Sequence, residues 1–170
     1  MANSIGFDEK TPPDESLPMS NGATDVFINV LLLSGSAMAQ TESEKRLIAY
    51  LAEKDQKIGM GTVGFDIVDM PWDHATFEAD KSFMLNVING VRNKIGWEKL
   101  WYTPDESRVL LYMDGFERLI NKMTEEDIRR DALSQWLDAA DENDPIRCGF
   151  PKCAEHDVFL TWLGCQICNS

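Results

Sequence analysis

The residues best suited to chemistry lie close together in the sequence. Cys148, Cys153, His156, Cys165 and Cys168 include every cysteine in the chain and one of its two histidines. Cys153 with His156, and Cys165 with Cys168, are each separated by two residues, so a tight turn can direct both side chains of a pair at one ion. Two such pairs supply the four nitrogen and sulfur ligands that tetrahedral zinc requires. Gly164 stands just before the second pair, where a close turn benefits from a residue without a Cβ. Cys148 makes a fifth candidate, and an all-cysteine set that uses it and leaves out His156 is the alternative. Four reduced cysteines without metal remain a third reading. A redox role for Cys165-Gln-Ile-Cys168 lacks the strand before it and the helix after it that such motifs use.

This spacing resembles a generic zinc knuckle or ribbon over the last 18 residues and identifies no family. Four protein ligands would close the coordination sphere, so the expected Zn2+ is structural, and its task is to order a segment with few apolar groups. Val158, Phe159, Leu160, Trp162 and Leu163 would form the face that docks on the rest of the protein. Arg147 and Lys152 balance Glu155 and Asp157 there, whereas a DNA-binding ribbon needs basic surface.

Other motifs are weaker. Gly59-Met-Gly61-Thr-Val-Gly64 matches the dinucleotide-binding glycine pattern, but a charged helical stretch precedes it and a strand-like stretch follows, the reverse of the required order. Asp66, Asp69, Asp73 and His74 could surround a hydrolytic or transfer site, yet no nucleophile elbow accompanies them. Asp138 to Asp144 is rich in oxygen ligands and lacks the glycine and final glutamate of an EF-hand loop. Residues 124–144 hold eight acids against Arg129 and Arg130, and Glu125, Glu126, Asp127, Asp138, Asp141 and Glu142 would form a face that steers a basic protein partner. Trp72, Trp97 and Trp101 fall near segment ends, where indoles serve as core caps or as interface anchors.

Composition bounds these readings. A chain of 170 residues is about one domain, and 44% hydrophobic with 26% charged residues is typical of a globular protein. A net charge of −13 repels phosphate backbones and anionic membranes, which argues against direct nucleic-acid or membrane binding. A zinc module acting within a larger nucleic-acid assembly is kept as a further alternative. Residues 26–39 look like a signal-peptide core followed by Ala37-Met-Ala39, but the flank before them is acidic where a leader needs basic residues. The clustered cysteines likewise fit a reducing compartment, so a cytoplasmic location is expected.

The elements that must carry these groups follow from caps and periodicity. Residues 1–22, with Pro12, Pro13 and Pro18 among acids, read as a disordered acidic arm. Residues 23–144 read as a helical domain, and 145–170 as the Cys/His tail packed on it. A buried helix should start at Thr24 or Asp25, and a Thr41/Glu44 capping box opens a second helix ending near Gly59. Alternation in 60–69 suggests a strand. Thr76 should cap a helix to about Ile95, Thr103-Pro104-Asp105-Glu106 should open the next, and Thr124-Glu125-Glu126-Asp127 the last. The expected fold is mostly α: a bundle of four to five helices, at most a short strand pair, and a small zinc-knuckle-like tail. The expected function is a non-enzymatic interaction protein, an adaptor or inhibitor of the immunity-protein kind.

Overall fold

A helix whose residues are apolar on every side has to be wrapped by the rest of the chain. In the computed structural model, which describes residues 3–56, 61–62 and 64–169, α1 (Asn21–Met38) is such a helix: every residue from Phe27 to Ser36 is buried. It packs against α2 (Glu42–Ala52), α3 (Phe77–Arg92) and α4 (Glu106–Lys122). The Ser34 hydroxyl donates to the Val87 carbonyl at 2.7 Å, which satisfies the hydroxyl where α1 meets α3. With α5 (Ala132–Ala139), this makes a mostly helical protein with five α-helices among the described residues. Among the described residues, no helix is long and apolar enough to cross a membrane.

Several helix starts obey their local signals. Thr41 and Glu44 form both halves of the capping box at α2, and the Asp105 carboxylate accepts the Arg108 N–H at α4. Ser20, rather than Thr24 or Asp25, caps α1. The first turn before α3 is a 3-10 turn, His74–Thr76, capped by Asp73, and Thr76 donates instead to Asp80. Thr124 and Asp127 do form a capping box, but it closes only a 3-10 turn, Glu125–Asp127, and the chain is extended at Ile128 before α5 begins.

The expectation of a disordered arm at residues 1–22 is corrected. β1 (Asn3–Gly6) and β2 (Leu17–Met19) pair antiparallel, with Ile5 opposite Leu17, and β1 also pairs parallel with β5 (Phe65–Asp66). Ile5, Phe7, Leu17 and Met19 are buried in the common core. Alternate residues of these strands insert between helices, and that burial offsets the entropy that a Pro-rich acidic stretch would otherwise retain.

The strand expected over 60–69 is shorter. β3 (Asp55–Gln56) and β4 (Gly61–Thr62) form a separate antiparallel pair, β5 covers two residues, and Ile67–Asp69 is a 3-10 turn. Gly59, Met60 and Val63 of the glycine motif lie outside the described residues. Gly64 has a packing role: a Cβ there would collide with the Ser4 carbonyl oxygen of β1, so the glycine permits the close backbone approach beside β5.

Candidate metal centre

Two turns and one buried strip of chain build the centre. The Cys153 N–H donates to the Val158 carbonyl at 2.9 Å and the Asp157 N–H to the Cys153 carbonyl at 2.9 Å, closing a knuckle that holds Cys153 and His156 on one side. Asp157 sits at φ 55°, a left-handed conformation that aspartate tolerates better than most residues. The second turn is shaped by mutual backbone hydrogen bonds between Thr161 and Gly164, with Gly164 at φ 92°. That conformation requires glycine, as its place before Cys165 suggested. Val158 and Phe159 between the turns, and Ile167 after the second, enter the main core, so the tail and the helices share one interior.

These turns converge the four expected ligands. Atoms of Cys153, His156, Cys165 and Cys168 lie within 4.8 Å of one another, and the group could hold a metal ion. His156 Nδ1 is 3.8, 3.7 and 3.3 Å from the sulfurs of Cys153, Cys165 and Cys168, and the Cys153 and Cys168 sulfurs are 3.7 Å apart. Metal bonds of about 2.3 Å to sulfur and about 2.0 Å to nitrogen give tetrahedral edges of about 3.8 and 3.6 Å. Four of the six separations therefore match the edges of a tetrahedral site, and all six lie within 4.8 Å. Cys148 is outside this group, exposed, with its thiol 3.8 Å from the Glu142 carbonyl. All four cysteines are free of disulfides.

Electrostatics around the thiols favours anionic ligands unevenly. Burial opposes ionisation of Cys153, but hydrogen bonds from the backbone N–H groups of His156 and Glu155 and from the His156 side chain outweigh it and hold that thiol down at about 6. Burial pushes Cys165 up to about 12. A divalent ion supplies the charge that overrides such burial, since coordination requires the thiolate. Lys99 donates to the His156 carbonyl at 3.2 Å, and Lys152 donates to the Ser36 carbonyl at 2.7 Å and pairs with Asp157 at 3.8 Å. The far nitrogen of His156 faces the Glu155 carboxylate at 4.0 Å, leaving Nδ1 as the ligand atom.

The other candidate residues are dispersed. Asp73 pairs with Arg46 at 3.5 Å, His74 with Glu125 at 3.5 Å and Asp69 with Arg129 at 2.7 Å. Asp69 lines a polar cleft with Arg129, Arg130 and Trp136, whereas Asp66 lines one beside Ser4, Gly6 and Thr11. Each of Asp69, Asp73 and His74 is committed to a different partner. Of the acidic set, Glu125, Glu126, Asp138, Asp141 and Glu142 are exposed. Asp127 is half-buried, its carboxylate accepting from the Thr124 N–H and hydroxyl.

The three tryptophans separate by environment. Trp72 is a core residue whose indole N–H donates to the Ile67 carbonyl at 2.9 Å, Trp97 is half-buried, and Trp101 is 75% exposed. Sequence reading missed the buried Asp80, which accepts from Ser43 at 2.8 Å and Thr76 at 2.7 Å and ties α2 to α3. Its signal was weak, an acid three residues after Phe77 at the start of an amphipathic helix. No family model matches the chain, and no curated protein or solved structure is similar to it.

Proposed function

We propose that this protein is a non-enzymatic, acidic interaction protein whose Cys153, His156, Cys165 and Cys168 hold one structural Zn2+. The observation that carries this reading is the convergence of three sulfurs and one nitrogen within 4.8 Å of one another, four of their six separations running from 3.3 to 3.8 Å. Such a set selects zinc over the harder divalent ions, and four protein ligands leave no position for a reacting water. The net charge of −13 and the exposed carboxylates of Glu126, Asp138, Asp141 and Glu142 support a basic protein partner. In this reading the metal holds the tail as part of the scaffold, and the acidic surface steers encounter.

Two measurements test it. Elemental analysis of the full chain should give about one zinc per molecule, and occupancy well below half would remove the metal from the proposal. Affinity capture at low and at high salt should recover a basic protein whose association slows when Glu126, Asp141 and Glu142 are reversed to lysine, since rim charges act mainly on encounter. An acidic partner, or binding indifferent to salt and to these reversals, would refute the electrostatic part.

A further inference from the structure

Three thiolates around one ion are also three oxidisable groups, and exposure decides which of them an oxidant meets first. Cys165 is buried, Cys153 is half-buried and Cys168 is exposed. The Cys168 N–H donates to the Cys165 sulfur at 3.5 Å, which ties that buried sulfur to the backbone of its own turn. The Cys153 and Cys168 sulfurs belong to different turns, 15 residues apart along the chain, and lie 3.7 Å from each other. A disulfide bond is about 2.0 Å long, so the two sulfurs have less than about 2 Å to travel to form one.

We propose that Cys168 and Cys153 form a peroxide-operated release switch for the zinc, in which oxidation joins them in a disulfide and the metal leaves. The proposal rests on the zinc reading and adds the regulation of that site. In the first step the Cys168 thiolate attacks hydrogen peroxide, the O–O bond breaks, and the sulfur becomes a sulfenic acid as hydroxide departs. The Cys153 thiolate then attacks the Cys168 sulfur, so that the S–S bond forms and the S–O bond breaks with loss of a second hydroxide. Water supplies the protons: two thiolates, one peroxide and two protons give one disulfide and two waters. The sulfurs lose one electron each, and the peroxide gains both. Only Cys165 and His156 then remain as ligands, too few to hold zinc.

The choice of pair makes the switch reversible. A disulfide between Cys165 and Cys168 would close within one turn and leave the knuckle at Cys153 unconnected. The crossing pair ties the knuckle to the second turn, while Val158, Phe159 and Ile167 stay in the common core. The tail therefore keeps its place when the metal goes, and reduction returns both ligands to it. Cys148 is exposed as well but stands outside the group, so it takes no part.

The test uses the full chain carrying Cys148→Ser, which removes the other exposed thiol and leaves the metal set whole. Its zinc content is measured first. Excess hydrogen peroxide is then added with a chromophoric chelator present, free thiols are alkylated, and the chain is cleaved at Glu155 and Asp157, which separates Cys153 from Cys165 and Cys168. About one zinc per chain should be released in step with a disulfide that joins the two fragments, and tandem mass spectrometry should place it on Cys168 with Cys165 alkylated. Dithiothreitol and fresh zinc should restore the metal. Zinc present at the start but retained in peroxide would overturn the switch and leave the zinc site standing. So would release accompanied by a disulfide that includes Cys165, by sulfinic acid, by links between chains, or without recovery on reduction. A chain that holds no zinc before oxidation would overturn both.

Discussion

The Phe159 backbone N–H donates to the Ser36 hydroxyl at 3.2 Å, joining the strip between the two metal-ligand turns to the middle of the protein. Both residues are buried, and Lys152 reinforces the junction by donating to the Ser36 carbonyl at 2.7 Å. The side chain of Phe159 is 1% exposed and packs edge-on against Phe150 at 6.0 Å. Truncating it removes core contacts and leaves a cavity, so Phe159→Ala should cost about 3–5 kcal/mol. Because the tail shares the main interior, unfolding should remain one transition with a lowered midpoint. Two separate transitions in circular dichroism and tryptophan fluorescence would show that the tail folds independently.

The geometry separates the cysteines cleanly. Cys168→Ser should weaken zinc binding by more than about tenfold, since even loss of an outer hydrogen-bond partner costs about 10–100-fold in metal affinity. Cys148→Ser should leave affinity and stoichiometry unchanged, because that thiol stands outside the group. Competition with a chromophoric chelator measures both, and equal losses would place Cys148 in the coordination sphere.

Asp80 is a buried carboxyl between α2 and α3, and burial raises its pKa, with the hydrogen bonds from Thr76 and Ser43 opposing the shift. A carboxyl raised in the folded state stabilises most below its unfolded pKa of about 3.9, and that contribution is lost as pH rises through the folded value. Asp80→Asn has no charge to bury, and Ser43 and Thr76 can rotate their hydroxyls to meet its amide. The variant should therefore gain stability relative to the parent as pH rises from 4 to about 7. Urea unfolding across that range decides it, and a parallel pair of pH profiles would show that Asp80 is not strained by its ionisation.

Glu53 accepts the Trp136 indole N–H at 2.7 Å, which fastens α5 to the end of α2. Burial raises the Glu53 pKa and this hydrogen bond lowers it. Trp136→Phe keeps a ring and removes the donor, so the Glu53 pKa should rise further and stability at neutral pH should fall by about 1–3 kcal/mol. Carboxyl carbon NMR follows the titration directly. An unchanged Glu53 titration would mean that water replaces the indole.

What the sequence revealed depended on how local the physics was. Thr41 and Glu44 meet within one turn, and Cys153, His156, Cys165 and Cys168 reach one another through two short turns, so spacing alone located them. The fully wrapped α1 lacks a polar face, which hid its start at Ser20. Thr124 and Asp127 formed their box, but the signal carries no information about the chain's extended turn at Ile128. Ile5 and Leu17 lie in a largely polar stretch, and it is the pairing of Ile5 with Leu17 and with Phe65, far along the chain, that brings them into the core.

The junction at Ser36 also bears on how the molecule comes to be made. Its two partners are separated by 123 residues, and Phe159 leaves the ribosome after all five helices. Until then the buried flank of α1 around Ser36 lacks the tail that covers it. Loops of that size close slowly compared with neighbouring helices, so nascent chains should pass through a state with α1 partly bare. Metal capture, which needs both cysteine turns, would then coincide with sealing of that surface. Scarce zinc during synthesis would prolong the interval in which the unfinished protein can aggregate.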